Sequence, residues 1–199
     1  MRVIAGNYRS RILKSLKGLA LRPTSDRLRE TLFNVLGPDV KGSRFLDLFA
    51  GTGAIGIEAR SRGALEAVFV EKHAPAAALI RRNLESLGIQ STATVLSVDV
   101  QRGLERLAAA KKSKTSSFDF IFLDPPYVAA KDYARVLEFL GSGDLLASAG
   151  IVIAEHRRSF ELPEEVGRLR RYRVLKQGDA ALSFYRRAAA ATGKNDSAQ

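Results

Sequence analysis

FLDLFAGTGAIG (45–56) reads as a buried strand, a glycine-rich turn and the opening of a helix. Phe45, Leu46, Leu48 and Phe49 form the short apolar run that a parallel strand covered on both faces requires. Asp47 interrupts the run, and a carboxylate inside such a strand is costly unless it has a partner. Gly51 and Gly53 let the backbone turn sharply and approach a ligand closely. Ile55, Ile57 and Ala59 then suit a helix packed back on the sheet.

Outward from this unit the chain alternates strand and helix. Glu66–Glu71 reads as a second strand, about Pro75–Leu87 as a helix ended by Gly88, and Thr92–Val98 as a third strand. Gln101–Ala110 is a helix, 111–117 a polar basic loop, Phe118–Leu123 a fourth strand, Lys131–Leu140 a helix and Gly150–Glu155 a fifth strand. This β-α alternation predicts an α/β fold of the Rossmann-like kind, a mostly parallel central sheet with helices on both faces. Leu169–Leu175 and Ala181–Arg187 lack an intervening helix and read as an antiparallel hairpin closing the C-terminal edge. Residues 1–14 alternate apolar and polar about Gly6-Asn7, which predicts a small N-terminal β-hairpin. Thr24 or Ser25 can cap a helix to about Leu36, with Leu28, Leu32, Phe33 and Leu36 on one face and Gly37-Pro38 as its stop. One domain is expected over 1–187, its first 37 residues a basic hairpin and helix, with 188–199 a flexible tail.

Cysteine is absent and only His73 and His156 offer imidazole. That speaks against thiolate chemistry and a zinc centre, and no metal is expected. No apolar run approaches the length of a membrane span, so the expected address is the cytoplasm. The net charge of +11 is uneven. Residues 1–44 hold ten Lys/Arg against three Asp/Glu, 45–156 twelve against thirteen, and 157–199 ten against five. A neutral centre with basic ends points to a polyanionic partner, nucleic acid first, although basic flanks can also serve solubility alone. Arg22, Arg27 and Arg29 can face phosphate or simply be solvated.

Ligands of doubly wound sheets sit beyond the C-terminal ends of the strands. Asp47, Glu71, Asp99 and Asp124 all fall there. Each alone reads as a helix cap or turn residue; four at successive strand ends argue for a pocket. Gly51, Gly53 and Gly56 with Glu71 also match a dinucleotide fingerprint, which admits a nicotinamide enzyme. Asp124-Pro125-Pro126-Tyr127 is the more specific signal. Two prolines present carbonyl acceptors on a stiff backbone without N–H donors. Beside them stand a carboxylate and an aromatic ring, a combination suited to a planar group bearing –NH2. Asp124 and the Pro125 carbonyl can each accept one amine hydrogen while Tyr127 stacks on the ring. Two acceptors localise the nitrogen lone pair and stabilise the positive charge that develops when it attacks carbon.

The glycine turn 47–53 together with Asp124-Pro125-Pro126-Tyr127 resembles class I S-adenosylmethionine-dependent methyltransferases acting on exocyclic amines. More narrowly, Arg2-Val3-Ile4-Ala5-Gly6, Arg22-Pro23-Thr24 with Arg27, and Gly178-Asp179 resemble the RsmD family over Met1 to about Arg187. The resemblance implies the class I methyltransferase fold, S-adenosylmethionine as cofactor, and methylation of guanine N2 in small-subunit ribosomal RNA or in the assembling small subunit; a monomer is the separate expectation. It implies that Asp47, Phe49, Ala50, Gly51, Gly53, Glu71, Lys72, Asp99 and Val100 hold the cofactor, bordered by Thr24 and Arg27. Glu71 then meets the ribose hydroxyls and Asp99 the adenine amine. Asp124, Pro125, Pro126 and Tyr127 carry the target base. Arg2, Arg9, Arg11, Lys14 and Arg22 are the expected RNA contacts. Adenine-N6 methylation of DNA or RNA, a nicotinamide oxidoreductase and a non-catalytic RNA-binding or ribosome-assembly factor remain as alternatives.

Overall fold

The computed structural model describes residues 1–15, 25–110, 117–126 and 130–188. Five strands are parallel: β1 (Arg44–Leu48), β2 (Glu66–Val70), β3 (Ala93–Leu96), β4 (Phe118–Leu123) and β5 (Leu146–Arg157). Three more, β6 (Glu165–Val166), β7 (Leu169–Gln177) and β8 (Ala180–Arg187), form an antiparallel edge. The sheet order is β3-β2-β1-β4-β5-β8-β7-β6. The chain steps outward from β1 to β3 and then returns to lay β4 on the other side of β1. Strand order therefore reverses between β1 and β4, and a crevice opens beyond their C-terminal ends.

The alternation of side chains across the strands explains why β1 is apolar almost throughout. Leu46 and Leu48 join Val68, Val70, Ile121 and Leu123 in one core layer, beneath α4 (Val100–Ala110) and α5 (Ala130–Ser142). Phe45, Phe120, Phe122 and Phe184 face the opposite layer, under α1 (Asp26–Leu36) and α2 (Ala54–Ser61). On that side α3 (Ala74–Ser86) packs Ile80 and Leu84 against Ala67 and Phe69. α1 begins where Ser25 Oγ accepts the Leu28 N–H at 3.1 Å and ends at Gly37, φ +61°. Both the cap and the buried stripe Leu28, Leu32, Phe33, Leu36 follow the sequence expectation.

Most element ends shift by a residue or two from the sequence reading and β6 is additional; two larger differences have a physical reason. β5 starts at Leu146 rather than Gly150, because the buried Leu146 pairs with Phe118 before a bulge shifts the register to Phe120–Ile151. The N-terminal hairpin is reduced to one antiparallel bridge, Arg2–Ile12, flanked by Val3 N–H to Arg11 O and Leu13 N–H to Met1 O, both 3.0 Å. Its apex is drawn onto α2 instead of extending the ladder. Glu58 accepts from the Ile4 and Ala5 N–H groups at 2.8 and 3.0 Å. Asn7 and Tyr8 donate to Ser61 O and Oγ at 2.8 and 3.0 Å. Gly6, at φ +83°, lies so close to this helix that a Cβ there would stand 1.9 Å from Ser61 O. Arg29, one of the candidate phosphate ligands, is fully buried under the segment. Its guanidinium meets Arg2 O at 2.6 Å and Asp26 at 3.1 Å, and Glu58 lies 3.8 Å from its Nε. Arg29 is a structural cation here: it shares Glu58 with Arg62, whose Nε lies 2.8 Å from Oε1. Among the described residues no helix is long and apolar enough to cross a membrane.

Candidate active site

The glycine turn follows β1 into the crevice. Phe49 takes φ +59°, a conformation rare for an aromatic residue, and Gly51 and Gly53 follow at φ +54° and +78°. Such backbone persists only where its surroundings fix it. Here Ala50 N–H bonds Val70 O at 3.1 Å, Gly53 N–H bonds Ala50 O at 2.7 Å, and Gly51 N–H bonds Glu71 Oε2 at 2.8 Å. The other Glu71 oxygen accepts from His73 N–H at 2.7 Å. This buried carboxylate thus ties the turn after β1 to the end of β2. Gly56 has a different role: a Cβ there would lie 2.3 Å from the Phe69 ring, so its hydrogen sets how closely α2 sits on the sheet.

Asp47 has the partner its position demands. It is 2% exposed, and Oδ2 accepts the Gly56 N–H at 2.9 Å in the first turn of α2. Burial nonetheless pushes its carboxyl up to about 8, with Glu71 adding repulsion and the Gly56 bond opposing both. In register, Asp47 lies beside Phe122 and Leu48 beside Leu123. The turn at 49–53 and the Asp124-Pro125-Pro126 segment therefore leave the sheet side by side. Asp124 is half-buried, Pro125 buried and Pro126 exposed. Burial, then Glu155, then Asp47 hold the Asp124 carboxyl well above the ordinary carboxylate range. A partly desolvated cleft of this kind, whose raised carboxyls gain most by ionising beside a positive charge, is suited to a cationic ligand.

Asp99 is exposed and caps α4, its Oδ1 accepting from Gln101 N–H at 3.0 Å. Val100 is buried behind it, Ala50 is buried at the turn, and Lys72 is exposed just beyond Glu71. Arg2, Arg9, Arg11 and Lys14 are all exposed on the N-terminal segment, as is Arg27 on α1. Arg22, Thr24 and Tyr127 lie outside the described residues. The structure adds Glu155 to the site. It is 4% exposed, follows Ala154, the β5 partner of Leu123, and so flanks Asp124. The signal was akin to the one that marked Asp47, a carboxylate set against an apolar run.

Comparison with known proteins follows the same lines. A model of the family described as "Conserved hypothetical protein 95" matches residues 1–186. The chain is 41% identical over 187 residues to the "Putative rRNA methyltransferase YlbH" of Bacillus subtilis, covering 94% of this chain and 99% of that protein. It is 31% identical over 189 residues to "Ribosomal RNA small subunit methyltransferase D" of Escherichia coli, covering 95% and 91%. Among solved structures, "Putative methyltransferase yhhF from Escherichia coli" matches with a TM-score of 0.81 at 29% identity, over 96% of this chain and 99% of that one.

Proposed function

We propose, proceeding from the fact that the chain belongs to the RsmD family, that it transfers a methyl group from S-adenosylmethionine to the exocyclic N2 amine of a guanine in small-subunit ribosomal RNA. The observation that carries this reading is the placement of Asp124-Pro125-Pro126 beside the glycine turn, at the β1/β4 reversal. A donor-free segment with a carboxylate and a buried carbonyl-bearing proline suits an amine nucleophile, and the neighbouring turn suits the methyl donor.

The residues present fit that cofactor. Glu71 keeps acceptor capacity beyond its two backbone bonds and suits a ribose diol. Asp47 and Asp124, carboxyls raised by burial, ionise most readily beside a positive charge and so favour a sulfonium and an ammonium. Asp99, exposed at the end of β3, suits an adenine amine. When bound there, S-adenosylmethionine supplies an electrophilic methyl carbon. The chain then has three tasks. Asp124 and the Pro125 carbonyl orient the amine hydrogens and stabilise positive charge developing on nitrogen. The stiff Pro-Pro backbone holds the amine in line for displacement, where alignment supplies much of the rate. The basic N-terminal surface helps offset the cost, about a few kcal/mol, of drawing the base out of its stack.

The test is incubation with labelled cofactor and small-subunit RNA or particles, followed by nucleoside analysis. N2-methylguanosine supports the reading. Methyladenosine moves the chain to the adenine-N6 alternative, and no product leaves a binding factor.

Two further results are expected at this site. Glu71→Ala weakens cofactor affinity by roughly 1–3 kcal/mol, the loss of a buried acceptor; unchanged calorimetric affinity removes Glu71 from the pocket. The second concerns pH. With its carboxyl raised to about 8, Asp47 is largely protonated at neutral pH. Its raised value contributes stability that is fully present below the ordinary carboxylate range and lost as pH rises through about 8. A cation selects the ionised form. Cofactor affinity therefore rises from pH 6 toward pH 8 and binding releases a proton. Calorimetry in buffers of different ionisation enthalpy reads that proton, and Asp47→Asn flattens the profile. A pH-independent affinity in the unmodified protein rejects the coupling.

A further inference from the structure

The C-terminal edge of the sheet divides at Asp124. The glycine turn, Glu71 and Asp99 occupy the β1–β3 side. On the other side β5 runs on past Ala154, the partner of Leu123, to Arg157, which pairs with Ala180 at the start of β8. Arg158 N–H bonds Asp179 O at 2.8 Å, and Phe160 N–H closes a turn on Arg157 O at 2.9 Å. These bonds fix residues 157–160 against the β7–β8 turn. A cavity of about 540 Å³ lies there, lined by Arg157, Arg158, Ser159 and Asp179. Its volume is that of a small-ligand site, and among the described residues its lining is two guanidiniums, a hydroxyl and a carboxylate.

That set matches the outside of a nucleotide. A guanidinium takes phosphate with two parallel hydrogen bonds. A carboxylate repels phosphate and must instead accept from a hydroxyl. The side chains of Arg158 and Asp179 are exposed, and among the described residues neither forms a side-chain hydrogen bond or ion pair. Strand spacings of about 3.3 Å per residue and 4.8 Å between strands put the cavity roughly 10–15 Å from Asp124, on the side away from the cofactor residues. A strand delivering its base to Asp124 from that side passes over it.

We infer that this cavity seats a ribonucleotide neighbouring the target base, with Arg158 on its phosphate and Asp179 on its ribose 2′-hydroxyl. The inference rests on the ribosomal RNA reading above. It makes the cavity a positioning site. The flanking nucleotide is clamped while the target base is out of its stack, and the 2′-hydroxyl contact distinguishes RNA from DNA.

The test compares the unmodified protein with Arg158→Ala, Arg158→Glu and Asp179→Ala, using small-subunit RNA as the probe. Equilibrium RNA binding is measured across salt, alongside methyl transfer. Arg158→Glu is expected to raise the KM for RNA about tenfold or more, with the effect on KM rather than kcat. The slope of log affinity against log salt falls by about one contact. Asp179→Ala, which removes the acceptor, is expected to narrow the preference for RNA over an oligonucleotide with 2′-deoxy sugars flanking the target. RNA affinity and salt slope unchanged in both Arg158 variants overturn the phosphate contact; an unchanged 2′-deoxy penalty in Asp179→Ala overturns the ribose contact. Failure of the unmodified protein to make methylguanosine is a separate result. It rejects the proposed reaction, while the binding measurements still decide the cavity.

Discussion

Asp124→Asn is expected to lose about 10²–10³-fold in kcat while binding the cofactor product as the unmodified protein does. Asparagine keeps the size of the side chain but removes its charge, and it can turn an NH2 toward an amine that needs acceptors. The same substitution is expected to stabilise the fold. The Asp124 carboxyl is raised by burial and by the neighbouring Glu155 and Asp47 charges. Ionising it therefore destabilises the folded state increasingly as pH rises above the ordinary carboxylate range. The asparagine variant escapes that penalty, so its advantage in thermal denaturation is greatest at neutral and alkaline pH and vanishes near pH 4. Lower activity with higher stability is the signature of a group kept for chemistry. Near-normal turnover in Asp124→Asn removes the residue from the reaction.

The second large effect is on stability. Glu58→Ala is expected to cost about 3–5 kcal/mol in urea denaturation. Glu58 is 1% exposed and receives the Ile4 and Ala5 N–H groups, Arg62 Nε at 2.8 Å and the nearby Arg29. Burial already pulls the Arg29 guanidinium down from its usual value, and Glu58 is the largest influence opposing that shift. Removing it leaves a buried cation short of counter-charge and two backbone donors unsatisfied. Glu58→Gln, which retains an acceptor, loses less. On the proposed function, RNA affinity is expected to fall with the alanine variant as well, since Arg2, Arg9, Arg11 and Lys14, the proposed RNA contacts, ride on the segment that Glu58 holds. A loss below about 1 kcal/mol would class the cluster with surface ion pairs and reject the clamp.

The central unit was legible because its signals are local. The apolar run 45–49, the glycines after it and the proline pair after β4 each restrict the backbone within a few residues, and the structure places them as read. Ser25 and the α1 stripe were equally local. What escaped was set by contacts distant in sequence. The alternation of residues 1–14 was real, but Glu58 and Ser61, more than fifty positions away, take the apex off the ladder. Arg29 had the composition of a phosphate ligand and is buried by the same segment. Glu155 ends the apolar run of β5 as Asp47 interrupts that of β1, yet only the β4–β5 pairing sets it beside Asp124. The turn at 157–160 carries no motif at all, and its relation to Asp179 arises from antiparallel pairing.

The seam between β1 and β4 bears on how the protein is made. Arg44 N–H bonds Asp119 Oδ2 at 2.8 Å across 75 positions at the foot of this seam, and the crevice opens at its other end, beyond Leu48 and Leu123. A nascent chain ending before β4 can close the local β1–α2–β2 unit but has only one wall of the crevice. Such long-range pairing is the slow part of folding because loop closure precedes its reward. The pocket is therefore assembled late in synthesis, and a truncated translation product carries the glycine turn without the means to use it.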